Sequence, residues 1–221
     1  MKLNKLLAGL GAAILTAALA ITVSAADPVV VWDFANADDT TLYNEDGTVA
    51  FSTNGVTATY DAENACLTAD VLNGDPYLQL PDLGDFPAEN RFVRVKYYQS
   101  GISDWSTSIY FTTDTVAWSE TGHWKGFYDG DDDEWCEQTF YMDECPAWAG
   151  TITAMRLDVF DSAYEGQLAK VAYVAVFGSE EDANNFDYAA WRAAGSPVSL
   201  AAPAADAAAE TAAPGIGEAY T

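Results

Sequence analysis

The sequence predicts an all-β fold: a two-sheet antiparallel β-sandwich closed by one short C-terminal helix. Three observations predict it. Short runs rich in Val, Ile, Thr and aromatic residues recur through the middle of the chain, each bounded by Gly, Pro, Asn or Asp. Turn residues separate them at regular intervals, and no longer internal repeat is visible. A single stretch near the C-terminal end carries an apolar stripe of helical period.

The chain of 221 residues divides into three parts. Residues 1–26 read as an export signal: Lys2 and Lys5, then an uncharged run of 18 residues from Leu6 to Val23, then the small residues Ser24, Ala25 and Ala26 that suit a signal peptidase. An uncleaved anchor is the rival reading, since a span needs about 20 apolar residues. Gly9, Gly11 and the small residues at the end of the run favour cleavage. Residues 27–194 form the sandwich and hold all seven Trp. Residues 195–221 are a linker or tail rich in Ala, with Pro197, Pro203 and Pro214 and no Trp, Phe, Met or Cys. That composition is extended and semi-stiff, and it suggests a tether to a further domain or anchor. The protein is therefore expected to be secreted or held at a bacterial cell surface, with no membrane contact after signal cleavage.

Within 27–194 the strands follow in order. Val29–Phe34, Gly55–Tyr60, Ala65–Val71 and Pro76–Leu80 are β-rich and punctuated by turn residues. Arg91–Tyr98 alternates, with Val93, Val95 and Tyr97 on one face and Arg94, Lys96 and Tyr98 on the other. Ser108–Thr113, His123–Phe127, Gln138–Met142, Thr151–Val159 and Leu168–Phe177 continue the pattern. The helix is expected over 180–194. Ser179 caps it with Asp182 three residues on, Phe186, Ala189, Ala190 and Ala193 make its stripe, and Gly195 stops it.

Charge excludes some functions. The full chain carries 34 acidic and nine basic residues. Removing the signal leaves seven basic against 34 acidic, or −27, and the sandwich alone has seven against 31, or −24. Nucleic acid is excluded as a partner, because a phosphate backbone needs clustered Lys and Arg. The lone His123 leaves little room for zinc sites or triads built on several imidazoles.

Two local patterns resemble the jelly-roll carbohydrate-binding modules and galactose-binding-like domains of bacterial extracellular proteins. One is Asp75-Pro76-Tyr77-Leu78-Gln79-Leu80-Pro81, similar to the entry of these modules into a sheet strand. The other runs from Trp148-Ala149-Gly150-Thr151-Ile152 through Arg156-Leu157-Asp158 to Gly166 and Val171–Phe177, similar to their closing hairpin. Val159 stands where Pro is usual, and Ala172 where a second Asp is usual. The resemblance implies a jelly-roll topology and a glycan-facing surface. It also implies a structural calcium near the first and last strands, for which Asp33 or Asp158 would serve.

Between Tyr97 and Trp148 lie 13 aromatics in 52 residues. A flat ring covers the C–H face of a sugar while polar side chains take its hydroxyls, and loops present rings better than strand interiors do. Trp105 and Trp118, set among Ser, Thr, Asp and Glu, are the first candidates to stack on a polysaccharide. Trp124, Tyr98, Tyr110 and Arg94 complete the candidate set, and Trp148 is assigned to the closing hairpin. The plainer alternative is that most of these rings are core and that Arg94 and Lys96 balance local carboxylates.

The run Asp129, Asp131, Asp132, Asp133, Glu134 crowds carboxylates that Ca²⁺ would relieve, with Asp129, Asp131 and Asp133 as candidate ligands. It is not an EF-hand, since Glu134 stands where that loop needs Gly and Phe140 where it needs Glu. A solvated acidic loop is the alternative. Cys136 and Cys145, nine apart in an oxidising compartment, are candidates for a local disulfide that would leave Cys66 unpaired. No recognised catalytic motif occurs, and accidental carboxylate pairs are inevitable at this acid content. The expected function is non-catalytic polysaccharide binding through surface aromatics. A structural or adhesive spacer without a small ligand is the first alternative, and a small glycoside hydrolase the second.

Overall fold

The computed structural model of the chain describes residues 27–101, 107–126, 132–160, 163 and 165–196. The first sheet contains β1 (Val30–Asp33), β3 (Val56–Asp61), β4 (Cys66–Val71), β7 (Phe92–Ser100), β10 (Trp135–Tyr141) and β12 (Leu168–Phe177), in the order β10-β7-β12-β4-β3 with β1 also on β12. The second contains β2 (Thr53–Asn54), β5 (Tyr77–Gln79), β6 (Phe86–Pro87), β8 (Thr107–Thr113), β9 (His123–Gly126) and β11 (Thr151–Asp158), in the order β2-β5-β11-β8-β9 with β6 also on β11. All pairings are antiparallel. This is the two-sheet sandwich expected from the sequence. The two-residue strands β2 and β6 were not foreseen, because a run that short has no period to read.

Each sheet turns one face inward. On β7, Val93, Val95 and Tyr97 are buried and Arg94, Lys96 and Tyr98 lie on the opposite face, as the alternation requires. Trp32, Phe34, Leu67, Leu78, Ile109, Phe111, Phe140 and Leu157 from both sheets fill one continuous core. Trp148 seals its edge: its ring lies 4.8 Å from Phe111, and its indole N–H donates to the Ala88 carbonyl at 2.9 Å.

A second apolar cluster sits on the outer face of the first sheet, where Phe177, Tyr173 and Ala175 of β12 meet Ala183, Phe186 and Trp191. Coverage on both faces explains why Val171–Phe177 reads as a continuous apolar run. The cover is two helices rather than one over 180–194: α1 (Glu180–Asn185) and α2 (Tyr188–Ala193). Ser179 accepts from the Asp182 N–H as predicted. The helix then ends at Phe186, and Asp187 accepts from the Ala190 N–H at 2.9 Å to begin a second helix. The break re-aims the chain. Trp191 is buried, while Ala189, Ala190 and Ala193 of the predicted stripe are exposed. Anchoring a Trp against the sheet buries far more apolar area than three alanines would. Gly195 adopts φ +89°, as a helix stop should.

Candidate functional site

The outward positions of the second sheet line up across strands. Arg156 on β11 pairs with Tyr110 on β8, Tyr110 pairs with His123 on β9, and Asp158 pairs with Tyr77 on β5. The resulting row is stacked. The Arg156 guanidinium carbon lies 3.9 Å from the Tyr77 ring centroid and 4.4 Å from that of Tyr110, so the cation is held between two aromatic faces. Tyr110 stacks on His123 at 5.0 Å and 22°. A planar guanidinium suits this position where an ammonium would not.

Carboxylates fix the row. Asp158, buried, takes both Arg156 Nε at 2.5 Å and Nη2 at 2.6 Å in a bidentate fork. Asp75 approaches the same guanidinium at 3.6 Å. Burial is the largest influence and works against the Arg156 charge, but the Asp158 hydrogen bond together with the charges of Asp158 and Asp75 outweighs it and raises the pKa. The Tyr110 hydroxyl donates to Glu120 Oε1 at 3.1 Å, and burial followed by that hydrogen bond pushes its pKa up to about 12. Tyr110 is thus a neutral hydroxyl at any physiological pH.

Loops raise walls around this floor. The β8–β9 loop is pinned by Thr113 Oγ1, which accepts from the Val116 N–H at 2.9 Å, and by the Gly122 N–H, which donates to Ser119 O at 3.0 Å. Gly122 is needed there, because a Cβ would stand 2.7 Å from the Phe111 carbonyl oxygen. The loop carries Trp118, 42% exposed, and Glu120. Opposite it, Gly55 at φ +64° lets the chain pass close to Asn73 and Asp75, and Asn54 Nδ2 donates to the Asp75 carbonyl at 2.6 Å. Together these elements enclose a cleft of about 440 Å³, with Tyr110, Trp118, Glu120, Asp75, Arg156 and Asp158 in its lining. It offers an exposed indole, a phenol, a fixed guanidinium and two solvent-facing carboxylates.

Of the residues the sequence singled out, the cleft brings together Trp118 and Tyr110. Trp105 lies outside the described residues. Trp124 is turned away: its ring packs on Phe140 at 4.7 Å and its N–H donates to Glu144 at 3.2 Å, because on β9 it is His123 that takes the outward position. Tyr98 and Arg94 lie on the outer face of the other sheet. Arg94 donates to Glu137 at 3.3 Å and Thr139 at 3.0 Å, and the Tyr98 hydroxyl donates to Asp133 at 2.9 Å.

Asp129 and Asp131 lie outside the described residues. Asp133 accepts hydrogen bonds from Ser100 and Tyr98, which hold its carboxyl below the usual range. The calcium candidates of the resemblance are otherwise engaged: Asp33 pairs with Arg192 at 3.2 Å, and Asp158 with Arg156. Among the described residues no three His, Cys, Asp or Glu side chains converge as a metal site. The expected Cys136–Cys145 bridge is not formed, and all three cysteines are free. Cys145 is buried, with its thiol directed at the carbonyls of His123 (3.2 Å) and Thr121 (3.9 Å), while Cys136 sits on β10 opposite Tyr97.

Sequence reasoning missed Arg156, Asp75 and Tyr77 as site residues and assigned them to the fold, and it offered Asp158 only as a calcium ligand implied by the resemblance. The signal was available: Arg156 and Asp158 are two apart on a strand, hence on one face, and one face of a sandwich sheet looks outward.

No family model matches the chain, and no curated protein matches it. Among solved structures it is similar to a family 29 carbohydrate-binding module complexed with cellulohexaose (13% identity, 72% of this chain and 97% of that one, TM-score 0.46). It is also similar to a carbohydrate-binding module of Cellvibrio mixtus lichenase 5A in complex with cellotriose (8%, 69% and 99%, TM-score 0.36). A third is the glycoside hydrolase domain of Endo-D from Streptococcus pneumoniae R6 (16%, 58% and 21%, TM-score 0.42).

Proposed function

We propose that this sandwich binds a neutral polysaccharide, without cleaving it, in the cleft under Trp118. The observation that carries the reading is the joining of an exposed indole to a pre-stacked Tyr77–Arg156–Tyr110 row, with solvent-facing carboxylates at the rim. Trp118 and Tyr110 offer apolar surface to sugar C–H faces. Asp75 and Glu120 accept from hydroxyls, and Arg156 donates. Its fork to Asp158 and the two rings hold it rigid, so little ordering entropy remains to be lost on binding. The cleft is open and shallow, so affinity should be modest. The signal-like residues 1–26 support export, and the excess of acid then serves solubility and resists adsorption.

Affinity electrophoresis and calorimetry against cellulose, xylan, mannan and starch, with and without Ca²⁺, test the reading. Retardation by at least one glycan, weakened tenfold or more in W118A and Y110A, is expected. Absence of retardation on every glycan would favour a spacer domain, and release of reducing ends would mark a glycosidase. N-terminal sequencing of the protein recovered from the medium would test cleavage after Ala26.

A further inference from the structure

The opposite face holds a second cleft with a different chemistry. It has about 340 Å³ and lies on the outer face of the first sheet, where the helical cover stops. Tyr188 and Arg192, one turn apart on α2, form one wall; Trp135 of β10, 38% exposed, and Lys96 of β7 line it as well. A β-bulge places Ala172 there. The β12–β7 register shifts between Val171 and Tyr173, leaving small Ala172 without a partner on β7.

Lys96 is the unusual member. In a domain with 31 acidic and seven basic residues, every other cation whose side chain is described has a carboxylate within 4 Å: Arg91 with Asp143, Arg94 with Glu137, Arg156 with Asp158, Lys170 with Asp61 and Arg192 with Asp33. Among the cations whose side chains are described, Lys96 alone has none. Its cross-strand neighbour Glu137 does not serve, because that carboxylate is taken by Arg94 and by the Tyr173 hydroxyl. Arg192 spends only part of its five donors on Asp33 and the Ala35 carbonyl. An unmatched ammonium beside a partly free guanidinium and an exposed indole asks for a carboxylate carried on an apolar-faced ring.

We propose that this cleft is a second binding site, for a carboxylate-bearing sugar such as a uronic acid residue of a polysaccharide. Trp135 covers the C–H face of the pyranose, and Lys96 and Arg192 take its carboxylate. The net charge of the domain does not forbid this, since at physiological salt repulsion is largely screened beyond about 8 Å while the two cations act at contact. The site is independent of the cleft under Trp118 and needs no neutral glycan to bind there.

The test is calorimetry and affinity electrophoresis of the full chain with polygalacturonate, with the same polymer after carboxyl reduction as control. Binding to the acidic polymer and none to the reduced one is expected. K96A and W135A should each weaken binding at least tenfold, K96E should abolish it, and W118A should stay within twofold. Unchanged near-ultraviolet circular dichroism would confirm that the variants fold. The proposal is overturned if polygalacturonate is not bound, if the reduced polymer binds equally, if K96A and K96E bind like the parent, or if W118A weakens the acidic polymer as much as K96A does.

Discussion

Replacing Arg156 with Met isolates what holds the site together. Met keeps an apolar stem between Tyr77 and Tyr110 and removes the charge, the fork to Asp158 and both cation–π contacts. The two stacks would account for roughly 1–3 kcal/mol in a partly desolvated position. The larger effect falls on Asp158, which is 6% exposed and loses the cation that justifies its burial. Breaking one side of a buried pair costs about 3–5 kcal/mol, and that figure already contains the lost hydrogen bonds. R156M should therefore destabilise by about 3–5 kcal/mol, equivalent to roughly 6–20 °C in Tm for a domain of this size. Urea unfolding followed by tryptophan fluorescence measures it. The double variant R156M/D158N decides the mechanism: replacing the stranded carboxylate with a neutral amide should recover at least about 1.5 kcal/mol. R156K should fall between, because an ammonium can neither fork nor stack as a guanidinium does. A cost below about 1 kcal/mol for R156M, or no recovery in the double variant, would refute the argument that the Asp158 fork sets the site.

Four further outcomes are expected. Gly55→Ala should cost about 1–3 kcal/mol and weaken glycan binding, since its Cβ would meet Asn73 Oδ1 at 2.7 Å and the Asp75 carbonyl at 2.8 Å; Gly47→Ala, with φ +79° but open space, should cost only about 1 kcal/mol by the same unfolding assay. Trp148→Ala should cost about 3–5 kcal/mol through the cavity left against Phe86 and Phe111, whereas Trp118→Ala should change Tm little. The Lys170–Asp61 pair at 2.9 Å lowers the Asp61 pKa and raises that of Lys170, chiefly through their mutual hydrogen bond. Its carboxylate side stabilises above about pH 4 and is lost as pH falls, and its ammonium side stabilises below about pH 10 and is lost as pH rises, so D61N should flatten the acid limb of a Tm-versus-pH curve. Ellman titration of the native protein should detect Cys136 alone, because Cys66 and Cys145 are buried and burial pushes the Cys66 thiol up to about 11; three thiols should react in denaturant, against only one, Cys66, if a Cys136–Cys145 bridge had formed.

The sandwich was readable in the sequence because its signals are local. β7 announces itself by alternation, Val171–Phe177 by a continuous apolar run, and Ser179 by its cap. What escaped depended on packing between distant segments. Nothing in Phe186–Ala193 says that burying Trp191 against β12 outweighs a continuous helix, although Asp187 is a visible second cap. The site was half readable. Trp118 and Tyr110 follow from composition, while Arg156 and Asp158 show in the sequence only as a charged pair on one strand face; that Arg156 is stacked between Tyr77 and Tyr110 emerges only once β5, β8 and β11 are neighbours. Trp124 shows the converse, because a one-residue offset on β9 decides whether the indole or His123 looks outward.

The acid excess takes on a more specific meaning once the cations are placed. In solution terms −24 is a uniform property, but among the described side chains every Lys and Arg except Lys96 has a carboxylate within 4 Å. Arg156 fixes the outer row of the second sheet, Lys170 ties β12 to the end of β3, and Arg192 ties α2 to β1. One described cation stands without such a partner. Lys96, set beside an exposed indole and a second guanidinium, is that one. The two outer faces therefore differ in chemistry: under Trp118 a guanidinium already forked to Asp158 and stacked between two rings, and beside Trp135 the Lys96 ammonium with no carboxylate within 4 Å. Glycans matched in backbone and length that differ only in the carboxylate separate the two, since a single shared site would make W118A and W135A lose the same ligands.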